Sequence, residues 1–143
     1  MSQEAARGFV HAFCDAMTSR DAGRIAPFLD DDVEWIVFGP VDLFPFFGQH
    51  KGKAAVLAMF REMMSVLQLR RCESDSLVMD GDKAAALVKI NALDMSTGRM
   101  LSLRLAKFAT FHGHKLVSLK AVFDSFDVAE QAMGRQIDLT RAA

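Results

Sequence analysis

Apolar residues recur every three to four positions along residues 4–19, where Phe9, Phe13 and Met17 form one stripe with Val10 and Cys14 beside it. That period predicts an amphipathic helix. Ser2 stands at the N-cap position, and Glu4 in the first turn suits the positive end of the helix. Asp21 then predicts the cap of a short second helix with Ile25, Phe28 and Leu29 turned inward. The triplet Asp30-Asp31-Asp32 is expected to end it and lead into a short strand over residues 33–38. Segment 39–52 holds two prolines and three glycines, which argue against regular structure through it. It also carries Leu43, Phe44, Phe46 and Phe47, which need a dry place to go. A further helix is predicted over residues 53–67, with Val56, Phe60, Met63 and Leu67 on one face.

In the second half the pattern changes from a helical to a strand-like one. Runs 69–79, 83–95, 99–111 and 115–123 read as strands of a meander, separated by Asp80-Gly81-Asp82, Ser96-Thr97-Gly98 and His112-Gly113-His114. Glycine-centred turns between long β-rich runs are a hairpin signal. A last helix is expected over residues 124–133. The strands are apolar at both parities: Leu101, Leu103 and Leu105 share one face, Met100, Ala106 and Phe108 the other. Both sheet faces are therefore expected to be covered, one by helices and the other by a second subunit, giving a homodimer through the sheet face. No repeat, linker or low-complexity segment interrupts the chain, so residues 1–143 read as a single domain.

Composition adjusts this picture in three ways. Half of the residues are apolar (51%), 24% are charged and the formal net charge is -1, which predicts a globular chain without the positive field that a nucleic acid requires. No apolar run reaches membrane-spanning length, and the first residues hold no apolar signal core. With Cys14 and Cys72 read as buried thiols in a reducing compartment, the expectation is a soluble cytoplasmic protein with no membrane partner. Finally, twelve Phe and nine Met, with no Tyr, make a compliant interior. It either fits round a flexible apolar guest or simply fills itself. Chemistry that needs a phenol is excluded.

Candidate chemistry is sparse. Asp124 lies where the sheet ends; buried beside Phe123 and Phe126 it would serve as a general base, and at the start of the last helix it would serve as a cap. His50 precedes the third helix and could exchange a proton with a ligand or sit in solvent beside Lys51. These two are the catalytic candidates. Trp35, Phe44, Phe46, Phe47, Phe60 and Met63 are candidates for pocket lining, with plain core as the competing role. Lys89 and Arg104 interrupt apolar strands and face either a ligand anion or a dimer partner. His112 and His114 have chelating spacing but no third ligand nearby, so no metal is expected; His11 reads as surface. No G-x-G-x-x-G, P-loop, C-x-x-C or nucleophile elbow is present, and no cofactor is expected.

The order helix, helix, short strand, apolar loop, helix and long meander resembles the nuclear transport factor 2-like superfamily, in its SnoaL-like, ketosteroid-isomerase-like and limonene-epoxide-hydrolase-like branch. The residues that carry the likeness are Phe28-Leu-Asp-Asp-Asp-Val-Glu-Trp35, the approach from Gly48 to Gly52, and Gly98-Arg99 through Phe123-Asp124. The resemblance implies an α+β fold: a cone-shaped α+β barrel whose strongly curved, mostly antiparallel sheet wraps over three to four helices around an internal apolar pocket. It also implies cofactor-independent isomerase, cyclase or hydrolase chemistry on a small hydrophobic molecule. The matching positions mostly lack the family's groups. The isomerase base falls on Ile36, the cyclase Asp on Ala121, and the hydrolase pair on Lys89 and Asn91, where an amide can orient a ligand but not deprotonate it. The alternative is a non-catalytic binding or accessory protein that kept the pocket and lost the carboxylates. A third option is a dimerisation domain whose cone is filled by its own side chains.

Overall fold

A computed structural model describes residues 1–137 and Thr140; the remaining residues of the expected domain lie outside the described ones. Helix α1 spans Gln3–Thr18, and the Ser2 side chain accepts a hydrogen bond from the Ala5 amide as its N-cap. Two single 3-10 turns, Ala22–Arg24 and Ala26–Phe28, follow in place of the expected short helix, the first capped by Asp21 through the Gly23 amide. Pro27 explains the break, since it has no amide hydrogen to continue a helical ladder.

Strand β1 (Leu29–Phe38) starts earlier than the sequence suggests and takes in the acidic triplet. Its pairing slips between Leu29 and Glu34, so Asp30, Asp31 and Asp32 occupy an irregular stretch where their carboxylates reach water. The Gly/Pro-rich segment also holds a strand the pattern did not predict, β2 (Gly48–Lys51), paired antiparallel with β1. Its glycines bound it instead of breaking it: Gly48 and Gly52 take φ of 101° and 89°, conformations other residues adopt at a cost. Helix α2 (Lys53–Val66) leads into β3 (Leu67–Asp80), β4 (Lys83–Asp94), β5 (Arg99–His112) and β6 (Lys115–Phe123), and α3 covers Ser125–Met133.

The six strands form one sheet in the order β2-β1-β6-β5-β4-β3, antiparallel throughout except for the parallel pair β1 and β6. Irregularities in β3 and in the β5–β6 pairing accompany the curvature that wraps the sheet round the helices. The result is the α+β architecture with a curved, mostly antiparallel sheet that the sequence predicts.

Burial resolves the ambiguous parity of the strands. Leu101, Leu103 and Leu105 are at most 5% exposed and form the inner face, with Val88, Ile90 and Ala92 of β4. Met100, Phe108, Leu87 and Val122 point the other way and are 43–54% exposed. Helix α3 lies against β5, where the Gln131 side chain bonds the Ser102 backbone, while α1 lies over β3 and α2 packs against β1 and β3. Beneath them lies a cluster of rings: Phe13 and Phe60 on the helices meet Trp35 of β1 at centroid distances of 6.1 and 5.1 Å.

Candidate functional site

Between the inner sheet face, α2 and the loop after β1 lies an apolar cavity of about 50 Å³. Trp35, Phe46, Phe47, Phe60 and Met63 border it, together with Met17, Met59 and leucines of β3 and β5. A second apolar chamber, also about 50 Å³, lies on the other side of Phe13 beneath α1. The Lys107 side chain borders both. A probe-sized volume of about 10–15 Å³ holds one water, so each chamber has room for a few waters. That is well below the roughly 300–1,000 Å³ of a ligand pocket. In this state the cone is largely filled by its own Phe and Met side chains.

One wall of the larger-ringed chamber is a loop and not a paired strand. Residues 40–47 turn on themselves through hydrogen bonds from the Leu43 and Phe44 amides to the Pro40 carbonyl and from the Phe47 amide to that of Phe44. Phe44, Phe46 and Phe47 pack on one another, and Phe47 stacks on Phe123 at 5.1 Å. Gly39 makes this closure possible: a Cβ there would stand 2.5 Å from the Phe47 ring. Leu43 stays exposed, so three of the loop's four large apolar side chains find the dry environment they need.

The residues singled out by sequence divide into three groups. Trp35, Phe46, Phe47, Phe60 and Met63 come together round the cavity, and Phe44 backs Phe46 and Phe47 without bordering it. His50 is half-buried on β2, directly across from Trp35, and its Nε2 donates to the Phe46 carbonyl at 2.8 Å. A carbonyl only accepts, so that nitrogen carries the hydrogen and Nδ1 is left as the acceptor. The third group lies away from the cavity. Asn91, expected among the lining residues, is on the outer-facing parity of β4 opposite Arg71 and Ser102. Lys89 and Arg104 are exposed on the same outer face, Lys89 within 3.5 Å of Asp75. Asp124 is exposed, and its carboxylate accepts from the Asp127 amide as the N-cap of α3. Of the two roles open to Asp124, the geometry carries the cap: the amides of a first helical turn need an acceptor, and this carboxylate is spent on one.

No carboxylate borders either chamber. Ala121, where the resemblance would put a catalytic Asp, presents a methyl group to the cavity. Ile36 has the opposite parity to Trp35 and Val37, so the inward positions of β1 carry no acid either. Among the described residues no cluster of three or more His, Cys, Asp or Glu could hold a metal ion. No helix among them is long and apolar enough to cross a membrane.

Two polar groups inside the cone, and a thiol pair near them, were not foreseen. The Trp35 indole is 4% exposed, and its Nε1 is buried without a hydrogen-bond partner among the described residues. Lys107 points inward in phase with Leu101, Leu103 and Leu105, and its Nζ lies 5.5 Å from the centre of the Phe13 ring. Near it, Cys14 of α1 and Cys72 of β3 form a hydrogen-bonded thiol pair. Cys72 is drawn from 9.0 down to about 7, chiefly by its hydrogen bond with Cys14 and further by the Lys107 charge, against the effect of burial. The same hydrogen bond and burial push Cys14 upward. The phase of Lys107 with the three leucines was the available signal; the thiol pair, joining residues far apart in sequence, left none.

Comparison with known proteins agrees with this architecture. The sequence profile of the SnoaL-like domain matches residues 10–119. A Rhodopseudomonas palustris protein provisionally classed as an isomerase is 36% identical, covers 94% of this chain over its own full length, and superposes with a TM-score of 0.83. A nuclear transport factor 2-like protein from Burkholderia xenovorans is 23% identical, with coverage of 92% and 98% and a TM-score of 0.75. An M. tuberculosis epoxide hydrolase resembling limonene epoxide hydrolase is 15% identical, with coverage of 99% and 98% and a TM-score of 0.75. These last two share the fold. No curated protein matches the sequence significantly.

Proposed function

Because the chain belongs to the SnoaL-like family of the nuclear transport factor 2-like superfamily, we propose that it takes a small hydrophobic molecule into its cone, without a cofactor, and holds it without carboxylate acid-base chemistry. The observation that carries this reading is the composition of the cavity wall: Phe, Met, Leu and Ile with no carboxylate, closed on one side by loop 40–47. Met side chains and a loop held by its own turns yield more readily than a paired strand, so the cavity enlarges as the guest enters.

The sole Trp and the absence of Tyr make Trp35 the reporter of its own cavity. Titration with 1-octanol is expected to change Trp35 emission saturably. A change that is absent, or that rises linearly without saturating, leaves the self-filled cone as the answer.

A second reading, an isomerase-type role, is favoured by His50, whose free Nδ1 belongs to a half-buried ring across from Trp35, and by the 36% identical relative. Incubation separates the two. A ligand recovered unchanged sustains binding alone, whereas conversion that disappears in His50→Gln sustains the isomerase reading.

The same proposal includes self-association through the outer sheet face. Leu87, Phe108 and Val122 form an exposed apolar area round Ala106 on neighbouring strands, with Lys89 and Arg104 at its border towards Met100. Exposed patches of this kind mark interfaces. Sedimentation equilibrium is expected to give a dimer that Phe108→Glu converts to monomer; a monomeric parent protein at micromolar concentration removes this part. A reducing, cytoplasmic setting with both cysteines as free thiols fits the reading.

A further inference from the structure

We infer that the molecule held in the cone is a hydrophobic monoanion, its carboxylate or acidic enol oxygen taken by Lys107 Nζ and Trp35 Nε1. The inference rests on the cavity being a ligand site and adds the chemistry of what fills it.

The two donors are unusual for a self-filled core. A buried N–H without an acceptor loses its hydrogen bonds to water and regains none, so native interiors seldom leave one. The Lys107 ammonium, half-buried on the inner face, gives up part of its hydration and needs an anion there to offset that loss. None of the ion pairs among the described residues involves Lys107, and its charge acts on the thiols Cys14 and Cys72. Its contact with the Phe13 ring offsets part of the cost. An aliphatic side chain in phase with the three leucines would have filled the same space without any.

The sheet brings the donors towards one place. On β6, Ala121 stands opposite Lys107, and Leu119 stands beside Trp35 in the parallel β1 pairing. Ala121 is buried and small, leaving room between Lys107 and β1. The centre of the Phe13 ring is 6.1 Å from that of Trp35 and 5.5 Å from Lys107 Nζ, so both side chains neighbour the same ring. An anionic oxygen beside Phe13 satisfies both at once, with the charge-assisted bond as the stronger of the two. A hydrocarbon satisfies neither, and a dianion brings one charge more than the single ammonium neutralises.

Octanoate and 1-octanol form a matched pair that differs only at the head. Affinity is measured by calorimetry and Trp35 emission, with the single indole resonance followed in a ¹⁵N–¹H spectrum. Octanoate is expected to bind at least about ten-fold more tightly than octanol, and to shift the indole proton further downfield, since a carboxylate oxygen accepts more strongly than a hydroxyl. Lys107→Met should remove that preference, bringing the two affinities together, and Lys107→Gln, polar but neutral, should do the same if the Met variant fails to fold. Equal affinities in the parent protein, or a preference that survives loss of the ammonium, would sink the anion subsite and leave the cavity reading standing. If neither compound binds, the cavity reading falls and takes this inference with it.

Discussion

Phe60→Ala is expected to cost roughly 3–5 kcal/mol of folding stability, the range for removing a large buried ring, and to lower Tm by roughly 10–20 °C in a chain of this size. Phe60 is 1% exposed on the inner face of α2, with its ring edge against Trp35 at 5.1 Å and against Phe13 at 6.4 Å. Three elements meet at that ring, so its loss unseats a helix-to-helix and a helix-to-sheet contact together. It also enlarges an existing void, because Phe60 already borders the main cavity. The surroundings are close-packed and relax only partly, which puts the cost towards the upper end. Val78→Ala provides the contrast: Val78 is 64% exposed on β3, and its truncation should stay within about 0.5 kcal/mol. Chemical denaturation measures both. A Phe60→Ala loss below about 1 kcal/mol would mean that the ring cluster is not what ties the helices to the sheet.

The second large effect concerns the thiol pair. Cys72 should react with iodoacetamide at neutral pH with a midpoint near pH 7, while Cys14 stays unmodified in the folded protein. The thiolate is the nucleophile, and Cys72 reaches it about two pH units before an ordinary thiol. Cys72 is half-buried beside a wide groove between α1 and β3, whereas Cys14 is 9% exposed beneath the helix. Peptide mapping after alkylation reads both outcomes; equal labelling of the two cysteines, or a midpoint near 9, would overturn the assignment.

The same coupling sets a pH dependence of stability. Lowering Cys72 from 9.0 to about 7 stabilises the fold fully above the unfolded value and loses that contribution as pH falls through 7. Cys14, shifted upward, contributes below its unfolded value and loses it as pH rises above 9.0. The pair should therefore make stability climb from pH 7 to about 9 and decline beyond, a profile that Cys72→Ser flattens.

Much of the fold was legible because the local period and the tertiary environment agree. The stripe through Phe9, Phe13 and Met17, the Ser2 cap and the three glycine turns each appear where the pattern put them. The exceptions share a cause. Strand β2 lies in a segment whose Gly and Pro argue against structure, yet β1 supplies hydrogen-bond partners that a sequence scan does not see. The acidic triplet, read as a terminator, is carried within β1 because a slip in pairing lets its carboxylates reach water.

The site was only half legible. Its apolar wall could be named, since Trp35, Phe46, Phe47, Phe60 and Met63 are the kinds of side chain that end up inside. Its polar members could not. Asn91 and Lys107 lie on neighbouring strands of a sheet apolar on both faces, and parity alone left open which face the helices would cover. By sequence Asp124 suited a helix start more than a pocket, and the Asp127 amide against its carboxylate carries the helix start.

By itself, then, the sequence determined the order and type of most elements, the family and the apolar character of the interior. These depend on spacing between near neighbours. Only the tertiary structure decided which sheet face is inside, that Lys107 and the Trp35 N–H lie within it while Asp124 does not, that Cys14 meets Cys72, and that the cone is nearly closed. Each of those outcomes depends on strand register and on contacts between residues far apart along the chain, where burial and electrostatics act through distance in space.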